Sequence, residues 1–290
     1  MKEVSSNGTK KGMNIHARRG LAYVVLILIT ILCLFWFLLL FINATRSHSE
    51  LNRGFSIIPS KYLIQNIKNL VKMGERLPIL YGLRNSLIIA GLSAALSTYF
   101  SVMTAYAIHA YDFKLKKAIF TFILMIMMIP TQVTALGFLQ LVSWMKLQNS
   151  FIPLIVPTIA APVTFFYMKQ YMESSLPLSL IEAARIDGSG ELRTFNSIVM
   201  PLMKPAIAVQ AIFTFVSSWN NYFTPALILD DPKKRTVPIV IAQLRSMDWS
   251  NLDSGVIYAM IGLSIFPVII VYLILSKHIV QGVAMGSVKG

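Results

Sequence analysis

Apolar and polar positions alternate along this chain in long blocks rather than at the short periods of a soluble domain. The clearest block is LAYVVLILITILCLFWFLLLFI, Leu21 to Ile42, which carries no charge. A bilayer core of about 30 Å is crossed by roughly 20 apolar residues of helix, so this block predicts a span. Five further blocks follow, at about Ser86–Ala110, Ala118–Val142, Phe151–Tyr171, Pro205–Leu229 and Val256–Ser276. Only segments that satisfy their own backbone hydrogen bonds persist in lipid. The pattern therefore predicts six transmembrane helices and an all-α integral membrane protein. Pro130, Pro153, Pro157, Pro162, Pro225 and Pro267 sit within or near these spans, where kinks are expected.

The blocks divide the chain into an amino-terminal segment (1–20), a first span (21–42), a long loop (43–84), a five-helix core (85–276) and a tail (277–290). The long loop mixes charge with apolar residues in SKYLIQNIKNLVKMGERLPILYGL and has room for a short surface helix.

Composition supports lipid as the solvent. The 290 residues are 56% hydrophobic and 13% charged, against about 25% charged in soluble domains. A cleavable signal peptide has an apolar core of about 7–15 residues and an A-x-A-like site; the first block is longer and NATRSHSE follows it, so an uncleaved span is expected. The net charge of +14 raises the question of nucleic acid. The basic residues are scattered over loops without a basic face or RNA-binding motif, which makes the membrane the expected partner. Lysine and arginine fall almost evenly on the two sides of the predicted topology. Only the basic amino terminus (Lys10, Lys11, Arg18, Arg19) and KLKK speak to orientation, and both suggest the inside.

Catalytic chemistry is not expected. The single cysteine, Cys33, lies inside the first span, so no intramolecular disulfide can form. His16, His48, His109 and His278 lack ligand spacing, no GxxxxGK[ST] occurs, and neither a metal nor a cofactor is expected.

One polar stretch between spans stands out: EAARIDGSGELRTFNSIVMPLMKP, residues 182 to 205. Pro177 is placed for a first helical turn, with Ser174 or Ser175 as cap. Leu178 to Ile186 reads as about two helical turns, ended at Asp187-Gly188 by a left-handed glycine. Ser189 is the expected cap of a second helix with Glu191 in its first turn, and Pro201 and Pro205 mark where that helix breaks. The result is a helix–turn–helix outside lipid, with a thin face at Ala183 and Ala184. Physics alone leaves two readings open, an amphipathic loop resting on headgroups or a docking knob for a soluble partner.

The spacing carries a resemblance. Glu182-Ala183-Ala184, Gly188 four residues after Ala184, Ile198 ten after that, and Pro201 resemble the EAA signature of inner-membrane subunits of ABC importers. Met200 stands where the family usually has leucine. NSLIIAG…TAYAIHAY, SSWNNYFTPALIL, KKRTVPI and the ending GVAMGSVKG resemble the carbohydrate branch, of the maltose-permease type, over roughly Tyr81 to Gly290. The usual ending has threonine and alanine where this chain has Ala284 and Ser287.

The resemblance implies a type I importer permease in a bacterial-type cytoplasmic membrane, with both termini cytoplasmic. It would work with a second, different permease, two ATP-binding cassette subunits and an external solute-binding protein that delivers sugar. Glu182, Ala183, Ala184, Asp187, Gly188, Ile198 and Pro201 would form the cytoplasmic coupling loop, at about 177–201. The segment Ser246–Asp253, with Asp248, Trp249 and Asn251, would face the binding protein.

For substrate, Trp219, Asn220, Asn221 and Tyr222 combine an aromatic face with amides, a pairing suited to sugar. Trp219 lies about 21 Å of helical rise beyond Pro205. An interfacial aromatic with helix-bridging amides is the plainer reading. Gln132 and Gln140 could line a pathway or pair between helices. Two rival functions remain: the same architecture carrying glycerol phosphate or another polar metabolite, and an ion-coupled secondary transporter. The latter would want a carboxylate or histidine within the spans, and the span interiors lack Asp and Glu.

Overall fold

The computed structural model describes residues 15–73, 78–130, 132–246 and 253–286, and side chains of the last helix as far as residue 279. Its helices, in chain order, are α1 (Ile15–Ala44), α2 (His48–Asn52), α3 (Leu63–Met73), α4 (Ile79–Ala110), α5 (Lys116–Met127), α6 (Ala135–Trp144), α7 (Ile152–Ile155), α8 (Pro162–Ser175), α9 (Leu178–Ile186), α10 (Glu191–Thr194), α11 (Met200–Leu202), α12 (Lys204–Trp219), α13 (Phe223–Ile228), α14 (Val237–Arg245) and α15 (Ser254–Gly286). No strand occurs among the described residues.

Among the described residues, four helical stretches are long and apolar enough to cross a membrane: Arg18–Ala44, Ile79–Ala110, Ile152–Ser175 and Ser254–Ile279. A fifth is reached when the arms Glu191–Leu202 and Lys204–Trp219, bent by 79°, are taken as one. The expectation of six transmembrane helices is thus met in part. The block predicted at Ala118–Val142 is divided into α5 and α6, and that at Pro205–Leu229 into α12 and α13.

Proline chemistry accounts for much of the division. Pro153, Pro157, Pro162 and Pro205 each fall at the start of a helical segment, where the missing N–H has no helical partner to lose. Pro130 falls in the break between α5 and α6. Only Pro267 lies inside a long helix, α15. Most of the expected kinks are therefore breaks.

α4 organises the fold. It touches α8, α12, α14 and the 3₁₀ turn Val156–Ile159. Its buried face is a stripe of small residues that includes Ser86, Ala90, Ala94, Ser97, Ser101 and Ala105, and small residues let neighbouring backbones approach without a hydrophobic drive in lipid. Ser97 Oγ donates to Thr164 Oγ1 on α8 at 3.4 Å. At its first turns, Asn85 Nδ2 donates to the carbonyls of Lys233 and Arg235 at 2.9 and 3.0 Å. Ser86 Oγ accepts from the Val237 N–H at 2.9 Å. The loop around DDPKKR is thereby stitched to the beginning of α4. By contrast α1 is almost entirely exposed over its apolar window and packs mainly on α15.

The loop at 43–84 carries α2 and the amphipathic α3. Asn66 on α3 donates to the carbonyls of Ala44 and Arg46 at 2.8 and 2.9 Å. The same carbonyl of Arg46 lies against Gly255 at the start of α15. The end of α1, the loop and α15 therefore meet at one tight point.

Candidate coupling site

The polar stretch is a helix–turn–helix, as its residues predict, with different caps. Pro177 itself is the first cap, with extended backbone. Ser174 is spent on a bond to the carbonyl of Tyr171 at 2.9 Å, so neither serine caps α9. Gly190, not Ser189, precedes α10. The Ser189 hydroxyl instead accepts from Thr194 Oγ1 at 2.9 Å. Serine lost both positions because backbone geometry had already set the chain direction there.

The turn between the arms follows from glycine. Gly188 has φ +76°, its N–H bonds the carbonyl of Arg185 at 3.0 Å, and the N–H of Ser189 reaches Ala184 at 2.9 Å. These two bonds are the Schellman pattern, which absorbs the last helical carbonyls when the following residue is left-handed.

The second arm continues from α10 through a π-helical turn, Phe195–Val199, into α11. Pro201 does not break this arm. It lies inside α11, and the wide turn just before it gives its ring room where a tight helix would clash. The break falls at Met203, where the chain turns by 79° into α12.

One face of this unit is buried on its own chain. Ile181, Phe195, Val199 and Met203 join Tyr106, Phe165, Met168, Met172 and Leu176 in one apolar cluster. Ala184 is buried with that face, at 5% exposure, which corrects its expected place on an open thin face. The alanines are i, i+1 neighbours and point in different directions on a helix. Glu182, Ala183, Asp187 and Gly188 are exposed, and beside them stand Ile186 at 85% and Leu192 at 72%. Ile198 is half-buried and Pro201 exposed.

Polar contacts anchor the base. Glu191 accepts from the Tyr106 hydroxyl at 2.9 Å and pairs with Arg185 Nε at 2.9 Å. The Arg185 guanidinium lies 5.0 Å over the Tyr111 ring. His109 Nε2 stands 2.9 Å from the carbonyl of Leu176. The Tyr111 hydroxyl first, and then Arg185 and Tyr106, hold the Glu191 carboxyl below its usual range. The anchoring is therefore complete above the ordinary carboxylate value and is lost as pH falls through the lowered one. Sequence reasoning placed Glu191 only as a dipole-compensating residue. No spacing rule links it to Tyr106, 85 positions away.

The other predicted residues are dispersed. Trp219 is buried at 3% and stacks on Phe215, with ring centroids 5.7 Å apart. It lines a cleft of about 280 Å³ with Asn220, Tyr222, Ile241, Arg245 and Ser264. Asn221 uses its carbonyl oxygen to accept from Thr224 N–H at 3.3 Å, at the start of α13. Gln132, between α5 and α6, and Gln140, on α6, are exposed and are not among the residues of that cleft. Asp248, Trp249 and Asn251 lie outside the described residues. Asn85, which ties the DDPKKR loop to α4, went unread because an amide at the start of a span has no distinctive spacing.

Residues 88–285 match the family described as "Binding-protein-dependent transport system inner membrane component". The chain belongs to that family. It is similar to the arabinooligosaccharides transport system permease protein AraQ of Bacillus subtilis (strain 168), 37% identical over 209 residues, covering 71% of this chain and 72% of that protein. The sn-glycerol-3-phosphate transport system permease protein UgpE of Yersinia pestis is 30% identical over 275 residues, covering 92% and 98%. The melibiose/raffinose/stachyose import permease protein MelC of Bacillus subtilis (strain 168) is 33% identical over 208 residues, covering 71% and 75%. A crystal structure of a bacterial ABC transporter involved in import of the acidic polysaccharide alginate shares the fold, with TM-score 0.76, 21% identity, and coverage of 92% of this chain and 99% of that one. An inner-membrane, multi-pass permease component of a binding-protein-dependent importer is thus the class that fold and family define.

Proposed function

We propose that the chain forms half of the translocation pathway of an ATP-driven sugar or oligosaccharide importer. It pairs with a second, different permease, two ATP-hydrolysing subunits and an external solute-binding protein, and hydrolyses nothing itself. Its termini, 1–20 and 277–290, lie on the cytoplasmic side, and 43–84 and the loop containing Ser246–Asp253 lie outside. Six crossings follow when α5 and α6 count as one broken span and α12 with α13 as another. The AraQ and MelC resemblances support sugar as cargo.

One observation carries the coupling role. The helix–turn–helix at 178–202 presents exposed Ile186 and Leu192 beside Glu182, Ala183 and Asp187, on a unit whose other face is locked into the fold. A short helix with an apolar edge suits a groove on a soluble partner. When ATP draws the two ATPases together, the docked loops carry the spans from inward-facing to outward-facing. ATP and the loaded binding protein favour the same state and so act as linked ligands.

A thiol test addresses the docking. Cys33 is exposed on the lipid-length helix α1, and Cys33→Ser supplies a thiol-free background. Ile186→Cys in inside-out vesicles should be shielded from membrane-impermeant maleimide when ATPase is bound and become reactive when it is stripped. Equal labelling in both preparations would leave an amphipathic loop resting on headgroups. Ala184→Cys cannot report, because its own chain covers it.

A second reading has its own support: UgpE covers more of this chain than AraQ does, and Arg245 lines the Trp219 cleft. Competition of uptake by arabino- or galacto-oligosaccharides against sn-glycerol 3-phosphate separates the two.

A further inference from the structure

The helix–turn–helix is tied to the rest of the chain by two kinds of contact. The apolar cluster around Ile181 and Phe195 holds it on α4 and α8. Such contacts are strong in sum but have no direction, so they permit sliding and tilting. The directional tie that engages both arms and α4 at once is one carboxylate. Glu191 opens the second arm, and its Oε2 accepts from Tyr106 on α4 while its Oε1 takes Arg185 from the first arm, both at 2.9 Å. Arg185 in turn covers the ring of Tyr111, just past the end of α4. The Tyr106 ring is itself wedged against Phe195 on the second arm, 5.8 Å between centroids. Three segments therefore converge on two oxygens of one side chain. The other directional tie between the second arm and α4 is longer: Tyr99 hydroxyl to Asn196 at 3.4 Å.

We propose that Glu191 is a positioning residue for coupling. By joining both arms to the end of α4, it makes loop and helix move as one body, so that displacement of the exposed tip turns α4 rather than bending the loop. The inference rests on the coupling role proposed above for this loop.

The chemistry suits the task. A carboxylate accepts on both oxygens at once, and charge-assisted bonds of this kind are about twice as strong as neutral ones. A glutamine accepts at one oxygen only and turns its NH₂ toward the other donor. α4 is also the right element to drive, since it touches α8, α12 and α14. A rotation of α4 would reach the small-residue stripe from Ser86 to Ala105, where close helix contacts leave little room to absorb it.

The test uses the full importer in proteoliposomes, with its own ATPases and loaded binding protein. The readout is the ratio of sugar transported to ATP hydrolysed, for Glu191→Ala, Glu191→Gln, Tyr106→Phe and the double variant Glu191→Ala/Tyr106→Phe. Ile186→Cys shielding is measured in the same backgrounds. Glu191→Ala should keep the ATPases bound and hydrolysing while the ratio falls about fivefold or more. Tyr106→Phe keeps the ring and loses the hydroxyl, so its ratio should fall less, and the double variant should fall no further than Glu191→Ala. Glu191→Gln should lie between wild type and alanine.

A residue that only stabilises the fold would lower both rates together and leave the ratio unchanged. That result overturns the proposal. If Glu191→Ala does not assemble, the double variant Tyr106→Phe/Tyr111→Phe, which takes both hydroxyls from the carboxylate, decides alone, and a wild-type ratio there also overturns it. Loss of shielding at Ile186→Cys in the otherwise wild-type chain would point to failure of the docking reading itself. Intact shielding with unchanged ratios would remove only the role of Glu191.

Discussion

Gly188 occupies the one point in the helix–turn–helix where a side chain is excluded by backbone conformation rather than by crowding. Its φ is +76°, and an added Cβ would meet nothing within 4 Å. The cost of Gly188→Val is therefore conformational, about 1–2 kcal/mol for a left-handed residue bearing a branched side chain. That is small against a membrane fold but is concentrated at the turn that sets the angle between the arms. Gly188→Val should insert and express normally, yet lose uptake and stimulated ATP hydrolysis. Wild-type uptake in the well-expressed variant would show that this turn transmits nothing. Ala184 teaches the opposite lesson at the same scale. Its smallness serves the chain's own packing, and a signature residue is not for that reason a surface contact.

Among elements, the long apolar helices were legible because lipid imposes a length and a composition together. Leu21–Ile42 lies wholly within α1, and Val256–Ser276 within α15. What the pattern could not show was where an apolar block is cut. Hydropathy is continuous across Phe151 to Tyr171, but Pro153, Pro157 and Pro162 each restart the helix. The α4 boundary was missed by several residues because Ile79–Arg84 mixes apolar residues with a tyrosine, a glycine and an arginine, which hydropathy discounts and helix geometry does not. Caps were misread where glycine or proline already fixed the backbone, leaving Ser174 and Ser189 free for other bonds. The helix–turn–helix itself was readable from its glycine and prolines, whereas its anchoring through Tyr106 and Glu191 joins distant positions and leaves no local trace.

The junction of α1, α3 and α15 makes a stringent element-scale prediction. A Cβ at Gly255 would lie 2.6 Å from the Arg46 carbonyl and 2.7 Å from Asn66 Nδ2. Neither neighbour is a flexible chain end, since Asn66 already bonds two carbonyls and is buried at 3%. Gly255→Ala should destabilise by about 1–3 kcal/mol, the usual cost of overpacking, read as a lowered thermal midpoint in detergent. Gly91, with nothing within 4 Å of its Cβ position, is the control, and Gly91→Ala should be neutral or slightly stabilising in its helix. Equal midpoints for the two variants would show that the junction yields.

At the scale of the molecule, the distribution of burial argues that this chain is built to be completed by others. α5 has no buried residue and α6 only Val142, while α4 has one buried face running along nearly its whole length. Lipid accounts for part of the exposed apolar surface, including most of α1. It accounts less well for the cleft of about 640 Å³ lined by α4 (Thr104 among its residues), α5 and the start of α8, where Ser101 Oγ is buried without a hydrogen-bond partner, because a buried hydroxyl left unbonded costs free energy. A second permease facing these helices would close a pathway that one chain leaves open. Binding that favours the folded state raises stability by mass action. The chain purified alone should therefore insert but show no ATP-driven uptake, and its thermal midpoint should rise when it is co-purified with the second permease. In the Cys33→Ser background, Thr104→Cys should react with a small hydrophilic maleimide in the assembled importer and be protected when ATP is bound. An unreactive Thr104→Cys in every state would place the cleft against lipid and move the pathway elsewhere, with the Trp219 cleft the next place to probe.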